Sequence, residues 1–323
     1  MKKKRSLAKL LFLIDPWETL DHARDSTLRL MQEAVLMGAR CFLAESRTLS
    51  LEKGKATARI AEVISIKSPI SASEVERSAP KWQKIEAYDH FFYRTDPPVD
   101  LSYLLPLQIL ASVDIGKSAR KNRIHPSPHS LFFLNEKWAP ARLGALFPES
   151  LVSAETTKLM EFIHRESKVV LKPLFQAQSK GVAVLEKSHP DLEKILKTAT
   201  EQGSIPVILQ RYLPGILDGE TRLWFVQGKL MAAVRKVPKK GESIIDMDAG
   251  GSLEVAKLTS AEKKATLQIG GLLREEKILW AAVDLIDGKI TDFNHTSPGL
   301  LVAMEKLLNK NLARLALKPL LGP

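Results

Sequence analysis

The chain has 323 residues, with 48 Lys+Arg against 37 Asp+Glu for a net charge of +11. At about 150 residues per domain, two domains are expected, and the composition (45% hydrophobic, 26% charged) excludes a disordered, collagenous or coiled-coil chain. A single cysteine, Cys41, excludes an intrachain disulfide framework and a Cys-rich zinc site.

The basic start, Met1-Lys2-Lys3-Lys4-Arg5, has the charge of a signal-peptide n-region. The apolar run that follows, residues 10–14, is too short and stops at Asp15-Pro16 with no small-residue cleavage site, so it reads as a first strand behind a basic tail. Asp25-Ser26 supplies a helix N-cap. Residues 27–37 then carry Leu28, Leu30, Met31, Ala34 and Val35 before Gly38 closes the helix. Residues 41–44 and 90–94 read as further strands, the latter stopped by Asp96-Pro97-Pro98. This βαβ alternation predicts a parallel sheet.

After Ile124-His125-Pro126-Ser127-Pro128 the pattern changes. Strands are predicted at 168–174, 182–185, 207–212, 222–226, 230–237, 278–286 and 289–293. Short loops at Gln227-Gly228 and Asp287-Gly288 predict antiparallel pairs. Helices are predicted at 153–166, 190–202, 259–275 and 300–316. The expected fold class is therefore α/β over residues 1–123 followed by α+β over 124–323, with no internal repeat.

The positive charge falls in short clusters: residues 2–5, then Lys117, Arg120, Lys121 and Arg123, then residues 235–240. Aromatics are 6% and do not interleave with them, which predicts no nucleic-acid partner. No run reaches the ~18 apolar residues of a membrane span. A lone cysteine fits a cytoplasmic chain. His125 and His129 stand four apart, but Pro126 and Pro128 forbid the helix that a zinc pair needs.

The common nucleotide motifs are absent. No two glycines stand at i and i+2, and Gly116-Lys117-Ser118 lacks the earlier glycine of a P-loop, with Ala111 in its place. The informative stretch is 280–299, which reads as a hairpin ending in oxygen ligands. A two-residue Asp287-Gly288 loop would send Asp284 to the face opposite Asp292. A three-residue loop over 286–288 would bring Asp284, Asp292 and Asn294 together, with Val283, Leu285 and Phe293 on the other side. The clean polar/apolar division favours the three-residue loop. Such an all-oxygen set suits Mg²⁺ completed by phosphate oxygens; a solvated polar hairpin is the alternative. Lys172, inside the apolar strand Val169-Val170-Leu171-Lys172-Pro173-Leu174, calls for an anionic partner, or else is an edge-strand stem reaching to solvent.

With these motifs in order, the chain from about Leu11 to Ala316 resembles the prokaryotic glutathione synthetases of the ATP-grasp superfamily. The resemblance is carried by Ile14-Asp15-Pro16, Asp25-Ser26, Arg94-Thr95-Asp96-Pro97-Pro98, Asn135-Glu136-Lys137 and Leu171-Lys172-Pro173-Leu174. It continues through Tyr212-Leu213-Pro214, residues 218–222, Arg235, Ala249-Gly250-Gly251 and Asn294-His295-Thr296-Ser297-Pro298.

This resemblance implies a Rossmann-like pre-ATP-grasp domain over 1–123 and a two-subdomain ATP-grasp fold over 124–323, split into about 124–209 and 210–316. It implies ligation of γ-glutamylcysteine to glycine through an acyl phosphate, with ATP and Mg²⁺ (or Mn²⁺), in a homo-oligomer. Lys172 would hold nucleotide phosphates, Lys180 and Gly181 would belong to the phosphate-covering loop, and Gln210, Arg211, Tyr212 and Leu213 would contact adenine. Asp284, Asp292 and Asn294 would bind the metal, and Arg222 and Arg235 would neutralise transferring charge. Asp25, Ser26, Arg94 and Ser297 would contact the peptide, Ser297 near helix-end amides that receive a carboxylate.

Several positions depart from the family pattern. The glycine-rich loop reads Phe175-Gln176-Ala177-Gln178-Ser179-Lys180-Gly181, Ile244 replaces an arginine, Asp246 an asparagine, Asp292 a glutamate, Thr95 a lysine and His125 a lysine. The departures at the nucleotide and transition-state contacts raise a second reading, a degenerate member that binds nucleotide or peptide without turnover. A third is a ligase for another carboxylate and amine.

Overall fold

The computed structural model describes residues 7–112 and 124–322. The basic clusters at 2–5 and 117–123 and the Gly116-Lys117-Ser118 candidate lie outside these described residues.

The first sheet is built on β1 (Lys9–Ile14), whose residues 10–14 are all buried, with β2 (Arg40–Glu45) on one side. β3 (Ser50–Glu52), β4 (Lys55–Ile66), β5 (Val75–Arg77) and β6 (Lys81–Lys84) extend that side. β7 (His90–Tyr93) and β8 (Ile124–His125) run parallel to β1 on the other. The sheet is mixed, not wholly parallel as the βαβ pattern predicts: β4 pairs antiparallel with β2, β3, β5 and β6. The links there are too short for the helical crossover that a parallel partner requires. α1 (Ser26–Leu36) is capped as expected, the Asp25 carboxylate accepting from the Leu28 amide at 2.7 Å. α2 (Leu101–Ser112) and α3 (Pro128–Phe133) follow.

A second sheet, in the order β11-β10-β12-β9, comprises β9 (Ser150–Ser153), β10 (Lys168–Pro173), β11 (Ala183–Glu186) and β12 (Val207–Arg211). α4 (Thr156–Glu166) and α5 (Leu192–Ala199) cover one face through Leu159, Phe162, Ile163 and Leu196. The third sheet joins β13 (Glu220–Val226), β14 (Lys229–Val237), β15 (Ser252–Val255), β16 (Trp280–Ile286) and β17 (Lys289–Asn294), all antiparallel.

α6 (Ser260–Glu275) packs on one face of the third sheet against Leu223, Phe225, Val283 and Phe293. On the other face, α7 (Leu301–Leu308) and α8 (Leu312–Leu321) share a core with α1 and β1. The single helix expected at 300–316 is two, because Asn309 takes the left-handed conformation (φ 47°) and Asn311 caps a new start. Stacked rings tie the first and third sheets: Phe12 to Phe92 at 4.6 Å and Phe92 to Trp280 at 4.9 Å.

Candidate active site

A cleft of about 800 Å³ opens between the second and third sheets and reaches the C-terminal ends of β1 and β7. Side chains alternate along β10, so Val169 and Leu171 enter the core while Val170 and Lys172 face the cleft. Lys172 is no solvent-seeking stem. Its Nζ donates to Gln210 Oε1 at 2.9 Å and, across the cleft, to the Thr291 carbonyl at 2.8 Å. Burial pushes its pKa down, Asp292 partly opposes it and neighbouring Lys137 adds to it, leaving the group at about 8.

The opposite wall is one face of the third sheet. Residues 220, 222, 236, 284 and 292 lie on it because Glu220 pairs with Lys236, Arg222 with Asp284, and Asp284 with Asp292. The hairpin corrects the sequence expectation in its turn but not in its result. β16 and β17 join by the two-residue Asp287-Gly288 loop, both residues at positive φ, which by itself would put Asp284 and Asp292 on opposite faces. A β-bulge at Thr291 adds one residue to β17 and restores the common face. The carbonyl of this bulge residue is the one that Lys172 reaches.

Charges on this wall are tightly paired. Arg222 donates Nε to Asp284 Oδ1 at 2.7 Å and Nη2 to Oδ2 at 2.6 Å. Lys236 Nζ donates to the same Oδ2 at 2.8 Å and reaches Glu220 at 2.6 Å. Lys137 Nζ donates to Asp292 Oδ1 at 2.8 Å. Burial raises both carboxyls, but Arg222 and Lys236 outweigh it at Asp284, and Lys137 and Lys172 at Asp292. Both therefore sit below the usual carboxylate range.

Arg235 requires a correction. It pairs with Thr221, on the α6 side of the sheet, and donates to the Asp218 carbonyl at 3.3 Å without lining the cleft. Lys236, one residue on, is the cation that the strand alternation turns inward. Lys236, Lys137 and Glu220 are thus site residues missing from the sequence-based assignment. The two-residue period from Arg222 and its partner Val234 identifies Lys236 once the pairing is known.

The far end of the cleft centres on Arg94, 4% exposed, with Nε to Thr27 Oγ1 at 3.0 Å and Nη1 to the Thr296 carbonyl at 3.4 Å. Asp25 and Asp96 act on its charge, and Asp15, Ser26 and Ser297 also line the wall. The Asp96 carboxyl is pushed up to about 6 by burial, offset in part by Arg94 and a Ser297 hydrogen bond. Ser26 Oγ accepts from the Leu301 amide at 3.2 Å, taking one of the helix-end amides expected to receive a substrate carboxylate.

Two family models match the chain: "Prokaryotic glutathione synthetase, N-terminal domain" over residues 8–125 and "Prokaryotic glutathione synthetase, ATP-grasp domain" over 136–309. The glutathione synthetase of Synechococcus elongatus is 30% identical over 304 residues, covering 90% of this chain and 91% of the relative. The chain belongs to the prokaryotic glutathione synthetase family. The enzyme of that name from Escherichia coli O127:H6 is 29% identical over 301 residues, 90% of this chain and 91% of the relative. Among solved structures, the D-cycloserine synthetase DcsG superposes with a TM-score of 0.65 at 14% identity, covering 95% of this chain and 98% of that one. The ATP-grasp ligase PsnB, bound to its minimal precursor, gives 0.63 at 12% identity, covering 97% and 99%. Both support the ATP-grasp fold.

Residues 176–180 and 243–248, from two loops, line the cleft. Lys180 lines the cleft, whereas Gly181 packs against Pro173, where a Cβ would come within 2.8 Å of Cγ. Ser179 Oγ donates to the Ile245 carbonyl at 3.3 Å, and Arg24 pairs with Asp248, so the middle of the loop over 238–251 is tied to the loop after β10 and to the segment before α1. Ile244 and Asp246, within this loop, line the cleft. Arg211, Tyr212 and Leu213 follow Gln210 along its edge, with the Arg211 side chain turned to Glu166 at 2.6 Å. His125 is a second correction: it lies in the first sheet, 3.1 Å from His90, with burial holding its pKa down at about 3. It does not line the cleft, so its substitution removes no phosphate contact there.

The oxygen set fits Mg²⁺ through two of its three residues. Asn294 Nδ2 donates to the Ala282 carbonyl at 3.3 Å, leaving its Oδ1 as a ligand beside the carboxylate of Asp292. Both Asp284 oxygens are engaged by cations, and the described residues contain no cluster of three His, Cys, Asp or Glu able to hold a metal alone. One carboxylate and one amide fit an ion whose remaining ligands are phosphate oxygens and water.

Proposed function

We propose that the protein is an ATP- and Mg²⁺-dependent carboxylate–amine ligase that joins γ-glutamylcysteine to glycine through an acyl phosphate. The observation that carries this reading is the convergence of Lys137, Lys172, Arg222 and Lys236 on one stretch of cleft, beside Asp292 and Asn294.

In the reaction, a peptide carboxylate oxygen attacks the γ-phosphorus of ATP and the bond to ADP breaks. The glycine amine then adds to the acyl carbon, loses a proton, and phosphate departs. Such chemistry asks a protein mainly for positioning and charge neutralisation. Lys172, steadied by Gln210, and Lys137 hold the nucleotide phosphates, with Lys180 above them. Residues 211–213 contact the adenine. Arg222 and Lys236 face the transferring group and the acyl phosphate. Asp292 and Asn294 hold Mg²⁺, with Asp284 behind them as counter-ion to Arg222 and Lys236. The ion's contribution there is to offset phosphate charge.

The γ-glutamyl end of the peptide carries both an α-carboxylate and an α-ammonium. Arg94 complements the first, and the ring of Asp15, Asp25 and Asp96 complements the second. Ser26 and Ser297 add hydroxyls.

One observation favours a second reading, nucleotide binding without turnover: Ile244 and Asp246 line the cleft where a cation would best serve transferring charge. Assaying ADP and glutathione formation with purified protein, Mg-ATP, γ-glutamylcysteine and glycine decides between them. Stoichiometric ADP and glutathione support ligation. Mg-ATP binding without ADP release supports the second reading.

A further inference from the structure

Three consecutive residues before the second sheet reach three separate parts of the cleft. Asn135 Nδ2 donates to the Leu174 carbonyl at 3.2 Å, at the root of the loop after Lys172, and its Oδ1 accepts from the Lys137 amide at 2.9 Å. Lys137 reaches Asp292. Glu136 Oε1 accepts from the backbone amides of His295 at 2.7 Å and Thr296 at 3.0 Å.

Those two amides stand just past the end of β17, where no neighbouring strand can pair them, and His295 and Thr296 are buried at 1% and 5% exposure. A charged acceptor shared by two buried amides is a strong constraint, worth more than a neutral hydrogen bond. Thr296 then passes the constraint on. Its carbonyl accepts from Arg94 Nη1 at 3.4 Å and its Oγ1 from Tyr103 Oη at 3.2 Å. Asn294 lies one residue before this node and Ser297 one residue after it.

We propose that Glu136 is a positioning residue for the peptide substrate: by fixing the 295–296 amides it sets Arg94 and Ser297 at the far end of the cleft. It acts through Thr296 and not through the reacting atoms. The inference rests on the γ-glutamyl peptide occupying the Arg94 end, as proposed above.

Glu136→Ala removes the acceptor, whereas Glu136→Gln keeps one oxygen for the two amides. The test is calorimetric binding of γ-glutamylcysteine and, separately, of Mg-ATP to wild type and both variants, each first checked by thermal melting. Glu136→Ala should weaken peptide binding by about tenfold or more, as displaced contacts do, while Mg-ATP affinity stays within about twofold. Glu136→Gln should recover most of the loss. If Glu136→Ala does not fold, Glu136→Asp, which draws the carboxylate back by one methylene, carries the test: a peptide affinity reduced more than its Mg-ATP affinity is then expected. Equal loss of both ligands, or peptide affinity unchanged in the variants, overturns the inference alone. Wild-type protein that binds Mg-ATP but no γ-glutamylcysteine overturns the substrate assignment, and the inference with it.

Discussion

Arg222 grips both carboxylate oxygens of Asp284, at 2.7 and 2.6 Å, deep in the wall where Asp284 is 1% exposed. Lys236 shares one of those oxygens. Removing the anion leaves two cations buried against each other. Asp284→Asn is therefore expected to destabilise the fold by about 3–5 kcal/mol, the usual cost of stranding a buried charge. Urea unfolding checks this; a loss under about 1 kcal/mol would mean that water already screens the group.

The exchange of Arg235 for Lys236 is open to direct comparison. Lys236→Met should lower kcat by about a hundredfold or more, as loss of a transition-state charge partner does. Arg235→Met, on the other face of β14, should change it little. Steady-state kinetics of the two variants side by side would show the reverse order if Arg235 were the cation in use.

Lys172 gives a pH dependence with a definite sign. Its pKa in the free cleft is about 8, and phosphate pairs with the protonated form, raising that pKa in the complex. Mg-ATP affinity should be full below pH 8 and fall about tenfold per pH unit above it, until the pKa of the complex is reached. Lys172→Met should be weak at every pH. Titrations between pH 7 and 9.5 that give a flat wild-type profile would place the lysine outside the phosphate site.

Asp96 predicts the opposite slope for the peptide. With its carboxyl at about 6, it is charged above that pH and neutral below it. If it faces the α-ammonium, γ-glutamylcysteine affinity is retained above pH 6 and lost as pH falls through it. Asp96→Asn should remove the dependence, measured by calorimetry from pH 5 to 8.

Much of this architecture is legible in the sequence because local signals agree with tertiary ones. Asp25 caps α1, the apolar run of β1 is the centre of its sheet, and Asp284, Asp292 and Asn294 share a face. What escapes reading depends on pairing. β4 carries Thr57, Ile60, Val63, Ile64 and Ile66, but alanines and charged residues interrupt its alternation and its partners β3, β5 and β6 are only three or four residues long, so the antiparallel side of the first sheet goes unseen. The Thr291 bulge has no residue signature, yet it decides which way Asp284 points and gives Lys172 its carbonyl partner. Arg235 and Lys236 are adjacent cations, and only the register with β13 says which faces inward. Lys137 sits in a loop, and its role emerges only from Asp292 across the fold, 155 residues away.

The central claim is that the cations of this cleft drive ligation, even with Ile244 and Asp246 in the covering loop. The most direct measurement is ADP release by purified protein with Mg-ATP, γ-glutamylcysteine and glycine, each omitted in turn. The account predicts ADP formation that needs both acceptor substrates and matches glutathione produced. No ADP release despite measurable Mg-ATP binding would contradict it.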